Sequence, residues 1–171
     1  MEERTGMVTF KGAPLTLLGP RIKVGDPAPD FSALANDLSP VALSDYEGKV
    51  VILSSVPSLD TPVCDSQTRR FNEEAAALSD DIVILTVSMD LPFAQKRWCA
   101  AAGIDKVQTI SDHRDASFGR AYGLLVKELR LLARAVIVVD KAGDIVYAQI
   151  VDEIGKAPDY APAIAAAKKL L

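Results

Sequence analysis

The sequence predicts an α/β fold in which helices flank a mixed central sheet and a β-hairpin extends the N-terminus. Three observations support this prediction. Runs of continuous apolar residues have the length of strands that are buried on both faces. Helix-length segments separate the first of these runs, which is typical of parallel β-α-β units with right-handed crossovers. The last two runs are joined by a short turn, which favours an antiparallel pair.

The elements follow one another in a simple order. Weak alternation over residues 7–18, around Lys11-Gly12-Ala13-Pro14, predicts the N-terminal hairpin. Irregular chain rich in proline and glycine follows, and residues 44–48 predict a single helical turn. We then expect five strands, at residues 49–54, 82–87, 107–110, 135–139 and 145–150. We expect four helices, at residues 62–78, 92–102, 117–122 and 159–171.

Local signals support the bounds of these helices. In the first helix, Val63, Phe71, Ala75 and Leu78 fall near one face, as expected for a helix that packs on a sheet. Gly103 closes the second helix, because glycine readily adopts the left-handed conformation of a helix end. The last helix is rich in alanine and carries lysines in its final turn, where the helix dipole favours positive charge.

This order of elements is typical of a thioredoxin-like fold. Neither an internal repeat nor a linker divides the sequence, so we expect residues 1–171 to form a single domain. In open sheets with parallel strands, ligands bind at the carboxyl ends of the strands. Cys64 follows the first core strand closely, and we therefore expect it at this edge of the sheet.

Charge and cysteine content exclude several classes of function. The net charge is −4 and no basic run occurs, so nucleic acid is not an expected partner. No apolar run approaches bilayer length and the acidic N-terminus lacks an apolar signal core, so we expect a cytoplasmic protein without membrane association. Two cysteines in a reducing compartment indicate redox or catalytic work. The two cysteines and the one histidine cannot form an ordinary zinc site without added carboxylates. We therefore expect neither a structural metal nor a cofactor.

Cys64 has the sequence context of a reactive cysteine. It follows an apolar strand and the segment Thr61-Pro62, in which Thr61 can cap a helix and Pro62 suits the first helical position. Cys64 then lies in the first turn, near unpaired N–H groups and the positive end of the dipole. A thiol there should ionise more readily than a free cysteine. The alternative is a buried cysteine that acts as a small hydrophobic residue without chemistry.

Three further residues are candidates, each with a structural alternative. The hydroxyl of Thr61 can bind a thiolate or a substrate oxygen, or simply cap the helix. Arg134 opens an apolar strand, where a guanidinium needs an anionic partner or an outlet to water; an edge-strand ion pair is the alternative. Cys99 lies near the C-terminal end of the second helix, where the dipole opposes ionisation. It could equally fill the core beside Trp98 and Ala102.

Together these residues resemble the signature of the peroxiredoxins, Pro-x-x-x-Thr-x-x-Cys. Pro57, Thr61 and Cys64 match it, and Arg134 matches the distant arginine of that family. A closer resemblance, to the bacterial thiol peroxidase subfamily of atypical two-cysteine peroxiredoxins, is carried by residues 58–64, 90–95, 133–136, 149–154 and 158–160. The connection from 123 to 134 departs from it, since we expect a longer segment with glycine there.

The resemblance implies a thioredoxin-dependent thiol peroxidase that reduces hydrogen peroxide and organic hydroperoxides. Cys64 would be the peroxidatic residue and become a sulfenic acid. Arg134 and Thr61 would hold the peroxide, and Pro57 would shield the sulfur from water. The resemblance further implies that Cys99 is the resolving residue, which closes an intrachain Cys64–Cys99 disulfide that thioredoxin reopens. It also implies a homodimer.

Two other classes of function remain open. A thiol–disulfide oxidoreductase of the same fold needs two cysteines at Cys-x-x-Cys spacing, but the second position is Gln67. A binding module could keep the fold without any chemistry.

His113 suits a solvated loop better than a catalytic base. Because Cys64 and Cys99 fall at opposite ends of their helices, we expect the reduced thiols to lie apart and to join only after local unwinding.

Overall fold

The computed structural model describes residues 1–75 and 78–171. Its strands are β1 Glu3–Phe10, β2 Ala13–Leu18, β3 Ser32–Leu34, β4 Pro40–Ala42, β5 Val50–Ser55, β6 Ile82–Ser88, β7 Gln108–Ser111, β8 Leu125–Val126, β9 Leu131–Leu132, β10 Ala135–Val139 and β11 Ile145–Ile150. Its helices are α1 Pro62–Ala75, α2 Pro92–Ala102, α3 Ser117–Ala121 and α4 Tyr160–Lys168, with a short 3₁₀ turn at Leu43–Tyr46.

The central sheet has seven strands in the order β11-β10-β5-β6-β7-β3-β4. β5, β6 and β7 are parallel to one another, and α1 and α2 are the crossovers between them. β10 and β11 form the predicted antiparallel hairpin and pair with the other side of β5. This arrangement confirms the predicted mixed sheet, with its parallel centre and its antiparallel edge.

Both faces of this sheet are covered, as the continuous apolar strands predict. Successive side chains of a strand point to opposite faces. From β5, Val50 and Ile52 pack with α1 and α4, whereas Val51 and Leu53 join the core on the opposite face, which also holds residues of β2, β8 and α3. The face under α1 and α4 is the one that bears the candidate site.

A second sheet of four strands, in the order β1-β2-β8-β9, extends the predicted N-terminal hairpin. The sequence does not predict β8 and β9, which occupy the short connection between residues 123 and 134. Each has only two residues, and Leu17 and Leu18 of β2 pair with the first of them. Strands this short have no periodicity of their own and depend on pairing with a neighbour. The same reason applies to β3 and β4, which were also not predicted.

The helix bounds agree with the sequence at most positions. α2 has the predicted limits, and the N–H of Gly103, at φ 69°, donates to the carbonyl of Cys99. For α1, the predicted continuation through residues 76 and 77 lies outside the described residues, and Leu78 is in a bend, not in the helix as predicted. α4 ends at Lys168 and not at the predicted residue 171. Helix ends commonly fray, and the final residues do not add another helical turn. Among the described residues, no helix combines the length and apolar character needed to cross a membrane.

Candidate active site

Cys64 lies in the first turn of α1, just beyond the carboxyl end of β5, as the sequence predicts. Its side chain is fully buried in a small apolar cluster with Val56 and Leu59. The partly buried ring of Trp98, from α2, packs against this cluster. The thiol is therefore removed from bulk water, although it lies at a helix N-terminus that favours an anion.

Arg134 supplies the charged neighbour of this thiol. Its side chain is 1% exposed, and its Nη2 lies 3.2 Å from Sγ of Cys64. Nε and Nη2 also donate to the carbonyl of Ile154, at 3.2 Å and 2.9 Å. Among the described residues, no carboxylate lies within salt-bridge distance of the guanidinium. The edge-strand ion pair is therefore the wrong interpretation, and besides neutral oxygens the buried guanidinium contacts the sulfur of Cys64.

Gln67 holds the guanidinium from the other side. Nη1 of Arg134 donates to Oε1 of Gln67 at 2.9 Å, and Nε2 of Gln67 donates to Oγ of Ser54 at 2.7 Å. All three side chains are buried, so they fix one another in place. In the sequence, Gln67 stands out only as the residue at the second position of a Cys-x-x-Cys spacing. Its spacing of three residues from Cys64, on the same helix face, is the signal that could have indicated this contact.

Thr61 and Pro57 lie on the loop that enters α1. Pro57 is buried and directly follows Val56, whereas Thr61 is exposed. The carbonyl of Thr61 accepts the first helical hydrogen bond, from the N–H of Asp65 at 3.0 Å, which places it at the predicted N-cap position. Its hydroxyl donates to the carbonyl of Ser58 at 3.0 Å and so stabilises the turn before the helix.

Asp90, which follows β6, clamps this loop to the sheet. One oxygen of its carboxylate accepts from the hydroxyl of Ser58 at 2.8 Å. The other accepts from the N–H of Leu59 at 2.8 Å and from the hydroxyl of Ser88 at 2.7 Å. Asp90 therefore holds in place the chain that presents Cys64. In the sequence, Asp90 is only part of a segment that resembles the thiol peroxidases, and nothing there predicts its contacts.

Tyr160 begins α4 and supports α1 near the site. Its ring packs edge-to-face on Phe71 of α1 at 5.6 Å, and the guanidinium of Arg70 lies 5.1 Å from its centre. Burial raises the pKa of Tyr160, although the positive charges of Arg134 and Arg70 lower it in part. The phenol therefore stays protonated at neutral pH.

Cys99, on α2, makes its side-chain contact with β7 of the sheet. Its half-buried Sγ lies 3.4 Å from Oγ1 of Thr109, whose hydroxyl donates to Oδ1 of Asn36 at 3.0 Å. This contact ties the side chain of Cys99 to β7. Cys99 also lines an open cavity of about 620 Å³ at the surface. Both cysteines are free.

The structure thus brings Cys64, Arg134, Pro57 and Thr61 to one end of the sheet, and leaves Cys99 outside the group. His113 is exposed in the loop after β7, away from these contacts, which agrees with its interpretation as a solvated residue. The arrangement is a buried, hydrogen-bonded thiol beside a fixed cation, with a second thiol on the neighbouring helix. Such a pair of thiols can support nucleophilic redox chemistry.

Comparisons with known proteins agree with this geometry. Residues 23–164 match the Redoxin family. The thiol peroxidase of Halalkalibacterium halodurans is 61% identical over 164 residues, which cover 96% of this chain and 98% of that protein. The thiol peroxidase of Bacillus subtilis is 59% identical over the same shares of the two chains. A crystal structure of a peroxiredoxin-like protein from Aquifex aeolicus has a TM-score of 0.91 and 40% identity, and the match covers both chains completely.

The chain therefore belongs to the Redoxin family. Its similarity to the thiol peroxidases and to a peroxiredoxin-like structure confirms the resemblance on which the sequence analysis relied. It also confirms the predicted thioredoxin-like fold class and the prediction of a peroxiredoxin-type enzyme.

Proposed function

We propose that this protein reduces hydrogen peroxide and organic hydroperoxides with Cys64 as the peroxidatic residue, in a single domain spanning residues 1–171. The observation that carries the proposal is the contact between the buried guanidinium of Arg134 and the buried sulfur of Cys64. A fixed cation at this position favours the thiolate, which is the form that attacks a peroxide. The name thiol peroxidase, given to relatives at 61% and 59% identity, supports the same activity.

In the first step, the thiolate of Cys64 attacks one oxygen of the peroxide. An S–O bond forms, the O–O bond breaks, and the second oxygen leaves as water or an alcohol once it has taken a proton. Arg134 and the N–H groups at the start of α1 stabilise the negative charge that develops on the leaving oxygen. Thr61 orients the peroxide at the loop, and Pro57 limits the access of water to the sulfur. Cys64 is then a sulfenic acid.

In the second step, the thiol of Cys99 attacks the sulfenic acid of Cys64. An S–S bond forms, the S–O bond breaks, and the oxygen leaves as water with the thiol proton. Before oxidation the side chain of Cys99 contacts Thr109. We therefore include in the proposal a local opening of the first turn of α1 or of the last turn of α2, because helix ends open at low free-energy cost.

Thioredoxin is the proposed reductant, which reopens the disulfide by thiol–disulfide exchange and supplies two electrons. A reducing cytoplasm is the proposed compartment, because the cycle needs both cysteines returned to thiols. A homodimer is the proposed assembly, and sedimentation at several concentrations tests it.

Peroxide consumption with a generic dithiol tests the proposed activity. Cys64→Ser should abolish consumption, whereas Cys99→Ser should reduce one equivalent of peroxide and then slow. A binding module would show no difference between wild type and Cys64→Ser. Replacing the dithiol with thioredoxin and its reductase then tests the reductant, with hydrogen peroxide and an organic hydroperoxide as alternative substrates.

A further inference from the structure

Arg69, on the exposed side of α1, connects this helix to the C-terminal end of α2. Its Nε lies 2.7 Å from a carboxylate oxygen of Asp65, one turn earlier, which fixes the guanidinium. From there Nη1 donates to the carbonyl of Ala102, the last residue of α2, at 3.3 Å. The same guanidinium lies 5.7 Å from the centre of the Trp98 ring, within cation–π distance. Arg69 therefore holds α2 at two points.

Asn72, three residues further along α1, holds the chain that follows α2. Its Oδ1 accepts from the N–H of Lys106 at 2.8 Å and from the N–H of Asp105 at 3.3 Å. Residues three apart share a helix face, so Arg69 and Asn72 form one row of contacts. We call Arg69 and Asn72 the α1–α2 clasp.

The clasp holds the segment that carries Cys99. The carbonyl of Cys99 accepts from the N–H of Gly103 and of Ile104, the second at 3.0 Å, so its helical turn is continuous with the residues that the clasp binds. Trp98, the residue before Cys99, packs at the same time on the cluster around Cys64. An opening of α2 that reaches back to Trp98 breaks the contacts of its ring with that cluster and with the guanidinium of Arg69.

We propose that Arg69 is a positioning residue for the second step of the reaction: by holding the end of α2 closed, it limits the rate at which Cys99 reaches the sulfenic acid of Cys64. This inference rests on the proposed function and deepens it. Arg69 takes no part in bond making, in which the S–S bond forms, the S–O bond breaks and water leaves. It sets the fraction of time that the helix end is open.

A consequence follows for damage by excess peroxide. The sulfenic acid of Cys64 has two fates: attack by Cys99, or oxidation by a second peroxide to a sulfinic acid. A tight clasp slows the first fate and leaves more time for the second. Weakening the clasp should therefore speed disulfide formation and lower the yield of sulfinic acid.

The chain contains a closely matched control in the next residue. Arg70 makes an ion pair with Glu74 one turn later, lies over the ring of Tyr160, and has the same side-chain exposure of 47% as Arg69. Among the residues that the structure describes, its side-chain contacts are with α1 and α4, and none is with α2. Arg70→Ala thus removes the same kinds of contact from the same helix without touching the clasp.

Rapid quenching after one equivalent of hydrogen peroxide, read by intact mass, tests the proposal. Arg69→Ala should form the disulfide about five- to twenty-fold faster than wild type, as expected from losing a cation–π contact and a hydrogen bond of the closed state. The rate of the first step should stay unchanged, and excess peroxide should give less sulfinic acid. Asn72→Ala should act in the same direction, Arg69→Lys should fall between, and Arg70→Ala should match wild type.

Two results would overturn the proposal while leaving the proposed function intact. One is a Cys64–Cys99 disulfide that forms in Arg69→Ala and in Asn72→Ala at the same rate as in wild type. The other is an equal acceleration in Arg70→Ala, which would mean that general loosening of α1 and not the clasp is responsible. If wild type itself forms no Cys64–Cys99 disulfide, the second step of the proposed function fails, and this inference fails with it.

Discussion

Nη2 of Arg134 lies 3.2 Å from Sγ of Cys64, and both side chains are buried. The two residues are 70 positions apart in the sequence, and the pairing of β10 with β5 brings them together. The other acceptors of this guanidinium, the carbonyl of Ile154 and Oε1 of Gln67, are neutral, so the sulfur of Cys64 is the reactive group that the buried cation faces. This relationship makes the geometry a candidate for peroxide chemistry.

Replacing Arg134 should therefore affect rate more than fold. We expect Arg134→Ala to lower the rate constant for peroxide reduction by about a hundred-fold or more, because a charge-assisted donor at the developing oxyanion is lost. Single-turnover kinetics of the first step, with thermal unfolding in parallel, measure both effects. A variant that unfolds more easily but reacts at the wild-type rate would show that Arg134 is only structural.

Gln67 should act through Arg134 and not on the substrate. Gln67→Leu keeps the size of the side chain but removes the acceptor for Nη1 and the donor for Ser54. Leaving these buried groups unpaired should lower the free energy of unfolding by about 1–3 kcal/mol. The rate of the first step should fall, but less than in Arg134→Ala. If the double variant loses as much as the two single variants combined, the two residues act independently and this interpretation is wrong.

Asp90 should govern how firmly the loop before α1 is held. Asp90→Ala removes the acceptor for the hydroxyls of Ser58 and Ser88 and for the N–H of Leu59. We expect a loss of about 1–3 kcal/mol in unfolding free energy and faster amide exchange at residues 58–61. Hydrogen exchange read by mass spectrometry measures the second effect. Unchanged exchange in this loop would show that Asp90 does not hold it.

Asp112 should make stability depend on pH. It is 2% exposed, and burial raises its pKa from 3.8 to about 6, although the N–H groups of Phe118 and Gly119 lower it in part. Between these two values the folded state binds a proton that the unfolded state has released, so the free energy of unfolding must fall as pH rises through this window. Above about pH 6 both states are ionised and the effect is constant.

Asp112→Asn isolates this contribution, because asparagine does not titrate. The difference in unfolding free energy, wild type minus Asp112→Asn, should be largest near pH 3.8 and decrease toward about pH 6, by at most about 3 kcal/mol. Urea titrations at a series of pH values measure it. A difference that rises with pH would contradict the raised pKa.

Trp98 should report the opening of the site. It is the single tryptophan of the chain, packs on the cluster around Cys64, and directly precedes Cys99. Oxidation by one equivalent of peroxide should therefore change its fluorescence at the rate of disulfide formation, and Cys99→Ser should lack this phase. An identical fluorescence change in Cys99→Ser would mean that Trp98 responds to the sulfenic acid alone.

The sequence was sufficient for elements whose signals are local. The apolar run of β5, Pro62 at the start of α1 and Gly103 at the end of α2 each predicted structure within a few residues. β8 and β9 were missed because two-residue strands exist only through their neighbours. Cys64 was placed correctly from its helix start. The contacts of Gln67 with Arg134 and of Asp90 with Leu59 were not, since they join residues that only the tertiary fold brings together.

The central claim is that Cys64 reacts with peroxide and Cys99 then closes the disulfide. Intact mass and peptide mapping after one equivalent of hydrogen peroxide test it most directly. We predict that wild type loses the mass of two hydrogen atoms through an intrachain Cys64–Cys99 bond, and that Cys99→Ser gains one oxygen at Cys64. The account would be contradicted if Cys64→Ser gained an oxygen on Cys99 at the rate at which wild type reacts with peroxide. It would also be contradicted if the disulfide joined two chains only.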